Sequence, residues 1–311
     1  MSRTAPIFNV QSLSTQDGPG LRTAVFFQGC PLRCTWCSNP EGQTTWPQLH
    51  WQEVRCQGCL ECAKACPHAI PCATDVPERR RPQFARFACR VCAAWNCLDV
   101  CPSGALQRIG RPWGDGELLV AIKKDVRLFR NSGGGVTFTG GEPLMYGAFL
   151  APIARHLQDL AVHVAVETCG YWEWVEAAEC LSHCDLIYFD VKTLDDVVHR
   201  RFTGRSNGLI LGNLRKLAQN WPNRVIVSIP VVPHVLDSAD AIGQIGEHIR
   251  DLGLERARLL PYHNLGRGKY GALGLRYPHE PWDGAIAMPV LKAGLARLME
   301  LGLAATVEGW A

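Results

Sequence analysis

Gly133-Gly-Gly-Val136-Thr-Phe-Thr139 reads as a glycine corner running into a short strand of β-branched and aromatic residues. Residues 117–130, just before it, place apolar side chains at helical spacing. The same pairing recurs outward in both directions. Strands are expected at 22–28, 162–167, 185–191, 224–231 and 257–261, and helices at 172–182, 209–220, 238–252 and 289–301. Such alternation predicts parallel strands joined by crossover helices. About six units fit an α/β fold of the partial (β/α)6 TIM-like barrel kind better than a symmetric doubly wound sheet. Polar or glycine-led turns follow the strand ends, where barrel active sites assemble.

The 311 residues suffice for one large domain with a small companion. Hydrophobic residues at 47% and charged residues at 20% are ordinary for a globular protein. A net charge of +3 makes no case for nucleic acid. No apolar run has the length of a membrane span, and Met1 to Asn9 lacks the layout of a signal peptide, so a cytoplasmic location is expected. The unusual figure is 15 cysteines, which in such a compartment point to metal rather than to disulfides. Between residues 51 and 107 Cys, Pro and Arg dominate and apolar periodicity disappears. This stretch is expected to be an insert held by metal, with 1–50 and 108–311 forming the barrel.

Eleven cysteines fall into three groups. Cys56, Cys59, Cys62 and Cys66-Pro67 follow C-x2-C-x2-C-x3-C-P, the bacterial ferredoxin run, and Cys89, Cys92, Cys97 and Cys101-Pro102 repeat it with a longer middle gap. In that arrangement the cysteine before proline crosses to the other cluster. Cys56, Cys59, Cys62 and Cys101 are therefore expected to hold one cluster, and Cys89, Cys92, Cys97 and Cys66 the other. Zinc knuckles would need only two pairs and leave the Cys-Pro ends without a purpose. The first group, Cys30-x3-Cys34-x2-Cys37, has three cysteines in a loop directly after a strand. Three thiolates leave one iron of a four-iron cluster open, the mark of a catalytic metal.

At this point the sequence resembles the radical S-adenosylmethionine superfamily, and more specifically the glycyl-radical-enzyme activating enzymes, similar to pyruvate formate-lyase activating enzyme but with a two-cluster insert. The motifs that carry the likeness run in order: Ser14-Thr-Gln-Asp17-Gly18-Pro19-Gly20-Leu21-Arg22-Thr23, Cys30-Pro-Leu-Arg-Cys34-Thr-Trp36-Cys37, Thr139-Gly140-Gly141-Glu142-Pro143, Glu167-Thr168-Cys169-Gly170, Asp190-Val191-Lys192 and Tyr262-His263-Asn-Leu-Gly266.

The resemblance implies roles for these positions. Cys30, Cys34 and Cys37 would hold the catalytic [4Fe-4S] cluster, with Trp36 beside it, and the open iron would chelate S-adenosylmethionine. Gly140 and Gly141 would let backbone approach the methionine moiety, while Glu142 reads as a stabiliser of that strand end. Glu167, Thr168 and Asp190 match positions where relatives bind a monovalent cation near the cofactor carboxylate; without the likeness they read as polar strand ends. Lys192 would pair with the same carboxylate or with a peptide substrate. His263 would lie near the nucleoside, though a packed histidine fits its position as well. Asp17 and Gly18 would grip the partner's glycine loop, or form an N-terminal turn.

Two departures stand out. Ser228 occupies the place of an arginine common in the family, in Ser228-Ile-Pro-Val-Val-Pro233-His234. Cys72, Cys169, Cys180 and Cys184 lie outside all three groups; Cys169 is close to a strand end, and the others read as reduced thiols.

The implied activity is reductive cleavage of S-adenosylmethionine to a 5′-deoxyadenosyl radical, which abstracts hydrogen from a glycine of a partner glycyl radical enzyme. Electrons would come from a reduced flavodoxin or ferredoxin, with the two ferredoxin-type clusters as a candidate relay. The alternatives are a superfamily member acting on another peptide or a small molecule, a multi-cluster electron-transfer protein, and a zinc-stabilised binding module.

Overall fold

A computed structural model describes residues 3–68, 82–279 and 288–308. Its main feature is a nine-stranded open sheet. Strand β1 (Thr4–Ser14) runs antiparallel to β2 (Arg22–Phe27). From β2 the chain leaves the sheet through the cysteine loop and the insert. The insert is closed by an antiparallel ribbon of β3 (Gln48–Trp51) and β4 (Leu106–Ile109). Between them lie three short helices, α1 (Glu61–Ala65), α2 (Arg86–Cys89) and α3 (Asn96–Asp99). Strand β5 (Arg111–Gly114) then pairs with the outer edge of β1.

The expected alternation follows. Helices α4 (Asp115–Lys123) and α5 (Val126–Ser132) lead to β6 (Gly135–Gly140), and α6 (Gly147–Asp159) to β7 (His163–Thr168). Helix α7 (Trp174–Ser182) precedes β8 (Leu186–Asp190), and α8 (Asp196–Thr203) and α9 (Gly208–Asn220) precede β9 (Val225–Val231). Helix α10 (Ala239–Asp251), β10 (Arg256–Pro261), α11 (Arg267–Ala272), α12 (Met288–Glu300) and β11 (Ala304–Val307) complete the chain. Strands β2, β6, β7, β8, β9, β10 and β11 are parallel neighbours in that order. Six βα units are thus followed by a seventh parallel strand, and the sheet ends at β11 and β5 without closing.

One face of the parallel strands is apolar and covered, and its Val136, Phe138, Val164, Val166, Ile187, Phe189, Val227 and Ile229 are all buried. The glycine corner serves close passage. A Cβ on Gly134 would lie 1.8 Å from the Leu21 carbonyl oxygen, and one on Gly135 would lie 1.9 Å from that of His163. Gly133 ends α5 in the left-handed conformation, φ 66°, that glycine adopts freely.

One helix was expected over 117–130, but the structure has two. The break falls at Asp125, whose carboxylate accepts a hydrogen bond from Thr23 Oγ1 at 2.8 Å, so a tertiary contact with β2 overrides the local period. Strands β1 and β11 and helices α6, α8 and α11 were not expected. In α6 Gly147 and Pro152 mask the helical signal, while β11 is only four residues long. Among the described residues no helix is long and apolar enough to cross a membrane.

Candidate active site at the carboxyl ends of the strands

The carboxyl ends of the parallel strands surround a cavity of about 460 Å³. Cys30, Cys34, Trp36, Cys37, Gly140, Gly141, Glu167, Thr168, Asp190, Lys192 and His263 all line it, drawn from residues more than two hundred positions apart. Glu142 lies behind the wall. Among the described residues none of the insert's cysteines lines this cavity.

Backbone hydrogen bonds seat the cysteine loop, joined by the Tyr270 hydroxyl, which donates to the Cys37 carbonyl at 3.1 Å. Gly29 N–H donates to the Gly42 carbonyl at 2.8 Å, Glu142 N–H to the Gly29 carbonyl at 2.7 Å, and Gly141 N–H to the Phe27 carbonyl at 2.8 Å. A Cβ on Gly141 would meet the Gly29 and Gly42 oxygens at 2.2 and 2.5 Å, and one on Gly140 would lie 2.5 Å from Phe27 N. The two glycines are therefore required for docking this loop, whatever else approaches them. The far side of the loop is held by α8, whose Thr203 and Phe202 carbonyls accept from Arg33 N–H at 2.8 Å and Thr35 N–H at 3.1 Å.

Burial pushes the Cys34 thiol up to about 12 and the Cys37 thiol up to about 11. Cys30 is drawn below its ordinary value by a hydrogen bond with the Cys169 thiol behind it. The raised thiols of Cys34 and Cys37 stay protonated until a metal replaces the proton and offsets the desolvated charge. The donor set fits a cluster held by three thiolates. Cys169 also lines the cavity, but its thiol is tied between Cys30 and Glu142.

Glu142 is fully buried and anchors the strand ends. Its oxygens accept from Leu144 N–H at 3.0 Å, Cys169 N–H at 2.7 Å and Thr168 Oγ1 at 2.8 Å. Burial nevertheless lifts its carboxyl to about 7. Lys192 is buried as well; burial disfavours its charge, but Asp190 Oδ2 at 3.0 Å and the neighbouring sulfurs outweigh that and raise its pKa. His263 is exposed at the cavity mouth.

Of the oxygens expected to bind a monovalent cation, Asp190 Oδ2 accepts from Lys192 Nζ at 3.0 Å, and those of Glu167 and Thr168 are engaged within the chain. Thr168 Oγ1 donates inward to Glu142 and accepts from Gly170 N–H at 3.0 Å and Trp172 Nε1 at 2.8 Å. Glu167 Oε2 accepts from Thr139 Oγ1 at 2.7 Å, and its Oε1 from Arg258 Nη2 at 3.0 Å. This donor set does not fit a monovalent cation.

Arg258 was not foreseen, although its period-two spacing from Arg256 in a buried strand places an arginine facing the barrel interior. Its strand, β10, is separated from β7 by β9 and β8. Side chains standing off a flat sheet would not meet across that interval, so the contact with Glu167 reports inward curvature. Asp17 lines the same cavity, and its carbonyl accepts from Thr137 Oγ1 at 2.6 Å. Gly18 instead borders a neighbouring cavity of about 560 Å³ that opens beside β11.

In the insert, the cysteines assemble crosswise. Cys62 lies among Cys56, Cys59 and Cys101, and burial together with these neighbours pushes its thiol up to about 11. Cys97 lies among Cys66, Cys89 and Cys92, with Cys62 of the other group also near, and is likewise pushed up to about 11, chiefly by burial. The halves repeat one local device: Leu60 (φ 59°) and Trp95 (φ 53°) are left-handed just before the helices bearing Cys62 and Cys97. Bulky residues rarely adopt this conformation. Leu49, Cys62, Trp95, Cys97 and Leu106 form a small buried cluster, so the insert has more of a core than its composition suggests. Cys180 and Cys184 are buried in the main core, and Cys72 lies outside the described residues.

The Radical SAM superfamily model matches residues 83–242, a span that begins beyond the 30–37 loop. Indoleacetate decarboxylase activating enzyme of Tractidigestivibacter scatoligenes is 38% identical over 277 residues, 88% of each chain. Choline trimethylamine-lyase activating enzyme of Oleidesulfovibrio alaskensis is 40% identical over 287 residues, 90% of each chain. A solved domain of pyruvate-formate lyase-activating enzyme from Bacteroides vulgatus is 28% identical and covers 57% of this chain and 99% of that one, with a TM-score of 0.47. On relatives of this identity aligned along nearly the whole of both chains, this chain belongs to the radical SAM superfamily and, within it, to the glycyl-radical-enzyme activating enzymes.

Proposed function

We propose that the cavity at the strand ends binds S-adenosylmethionine against a [4Fe-4S] cluster held by Cys30, Cys34 and Cys37, and that this chain thereby activates a partner glycyl radical enzyme. The observation that carries the reading is the convergence of these three half-buried cysteines with Gly141, Asp190, Lys192 and His263 on one cavity. A cluster held by Cys30, Cys34 and Cys37 would pass one electron from a reduced donor to S-adenosylmethionine, breaking the sulfur–C5′ bond to give methionine and a 5′-deoxyadenosyl radical; hydrogen taken from the partner's glycine would then leave 5′-deoxyadenosine and a glycyl radical.

The protein's own residues position and shield that chemistry. Lys192, held charged by Asp190, sets a fixed positive charge on the cavity wall, suited to a carboxylate. Leu32, Pro230, Val232 and Leu260 give the same cavity apolar wall that excludes water. Relatives named for decarboxylases, an isethionate lyase and a choline lyase lie within 35 to 40% identity, and their shared property is the glycyl radical partner.

The insert is read as residues 51–107, with two ferredoxin-type clusters on Cys56, Cys59, Cys62 and Cys101 and on Cys66, Cys89, Cys92 and Cys97. The crosswise grouping and the repeated left-handed residues support this. A reduced flavodoxin or ferredoxin in the cytoplasm is the proposed electron donor.

The test is oxygen-free purification, reconstitution with iron and sulfide, and chromatography of 5′-deoxyadenosine after reduction. About twelve irons per chain, with nucleoside release abolished and about four irons lost in Cys34→Ala, is the expected outcome. About eight irons and no nucleoside would make the protein an electron carrier instead. Electron paramagnetic resonance of a co-incubated glycyl radical enzyme then reads the activation itself.

A further inference from the structure

The carboxylate of Glu167 is neutralised from within the chain. Arg258 is nearly buried, its side chain 12% exposed, and it is locked on four sides. Its Nη2 donates to Glu167 at 3.0 Å, Nη1 lies 3.4 Å from Glu308, Nε donates to Ser228 Oγ at 2.8 Å, and the guanidinium sits 3.7 Å from the Tyr188 ring centroid. Ser228 is the pairing partner of Arg258 in β9, and its small side chain leaves the room that the guanidinium fills. Lys192 performs the same service for Asp190. Two side-chain cations thus stand beside Glu167 and Asp190, two of the four carboxylates that line the cavity with Asp17 and Glu308, while the Thr168 hydroxyl is spent on Glu142.

We propose that Arg258 takes the place of a monovalent cation at this site, so that S-adenosylmethionine binds here independently of potassium or sodium. A recruited ion must find several oxygens free to enter its shell. Here Glu167 offers oxygens already holding a guanidinium and a hydroxyl. A tethered cation also spares the entropy of capturing a free one.

The inference rests on the cavity being the cofactor site. Its test is equilibrium binding of S-adenosylmethionine to the reconstituted protein under nitrogen, with potassium and sodium replaced by tetramethylammonium at constant ionic strength. Wild-type affinity is expected to change by less than about twofold, whereas Arg258→Gln should lose about tenfold without potassium and regain most of it on adding the ion. A wild-type affinity that falls about tenfold on removing potassium and recovers with it would overturn the inference, whatever the variant does. Absence of binding in every salt would instead refute the cofactor site, and this inference with it.

Discussion

Gly141→Ala isolates what the double glycine does. The added Cβ would lie 2.2 Å from the Gly29 oxygen and 2.5 Å from that of Gly42. To restore ordinary contact, both carbonyls must retreat by about 1 Å, and they belong to backbone that cannot swing aside. Each accepts a hydrogen bond that seats the cysteine loop, from Glu142 N–H at 2.7 Å and Gly29 N–H at 2.8 Å. Weakening two such bonds costs about 1 kcal/mol each, and overpacking adds about 1–3 kcal/mol. The expected loss of about 3–5 kcal/mol corresponds to a fall of about 10 °C in the thermal midpoint of a domain this size. The assay is thermal unfolding of the reconstituted protein under nitrogen, followed by circular dichroism. Gly212→Ala in α9, where an added Cβ meets nothing within 4 Å, serves as the comparison. It should gain about 0.5–1 kcal/mol from helix propensity. Equal midpoints for the two variants would refute the backbone-docking account of Gly141 and leave cofactor approach as its only role.

The insert's crosswise ligation predicts that Cys56→Ser combined with Cys101→Ser removes no more iron than either change alone, about four per chain, whereas Cys89→Ser with Cys101→Ser removes about eight; iron analysis showing the reverse would reassign the clusters. Burial lifts the Glu142 carboxyl from its ordinary 4.5 to about 7, so the fold favours the protonated form. That stabilisation is full below the unfolded value and is lost as pH rises through about 7, about 3 kcal/mol in all. Urea denaturation of wild type and Glu142→Gln at about pH 5 and about pH 8 should show wild type losing about 2.5 kcal/mol relative to the variant, and a difference independent of pH would be the contrary result. The Asp195 carboxylate caps α8 by accepting from Val197 and Val198 N–H at 2.8 and 3.0 Å, so Asp195→Ala should cost about 1 kcal/mol, read as a lower thermal midpoint.

Much of this protein is legible in its sequence because the signals are local. Strands such as 135–140 and 225–231 announce themselves by their β-branched and aromatic residues, most of them buried. The cysteine groups are legible for a similar reason: thiolates that wrap one cluster must lie a few residues apart. What the sequence could not carry are the events that depend on neighbours far along the chain. Asp125 splits one expected helix because Thr23 of β2 captures its carboxylate. Gly141 looks like a place for a ligand to approach, yet its crowding comes from Gly29 and Gly42. Glu167 and Thr168 have the right chemistry for a cation, and only the fold reveals that Arg258 and Glu142 claim their oxygens. Local spacing therefore determined which groups this chain brings to its chemistry. The curved sheet, by setting β10 opposite β7, decided which of those groups remain available to a ligand.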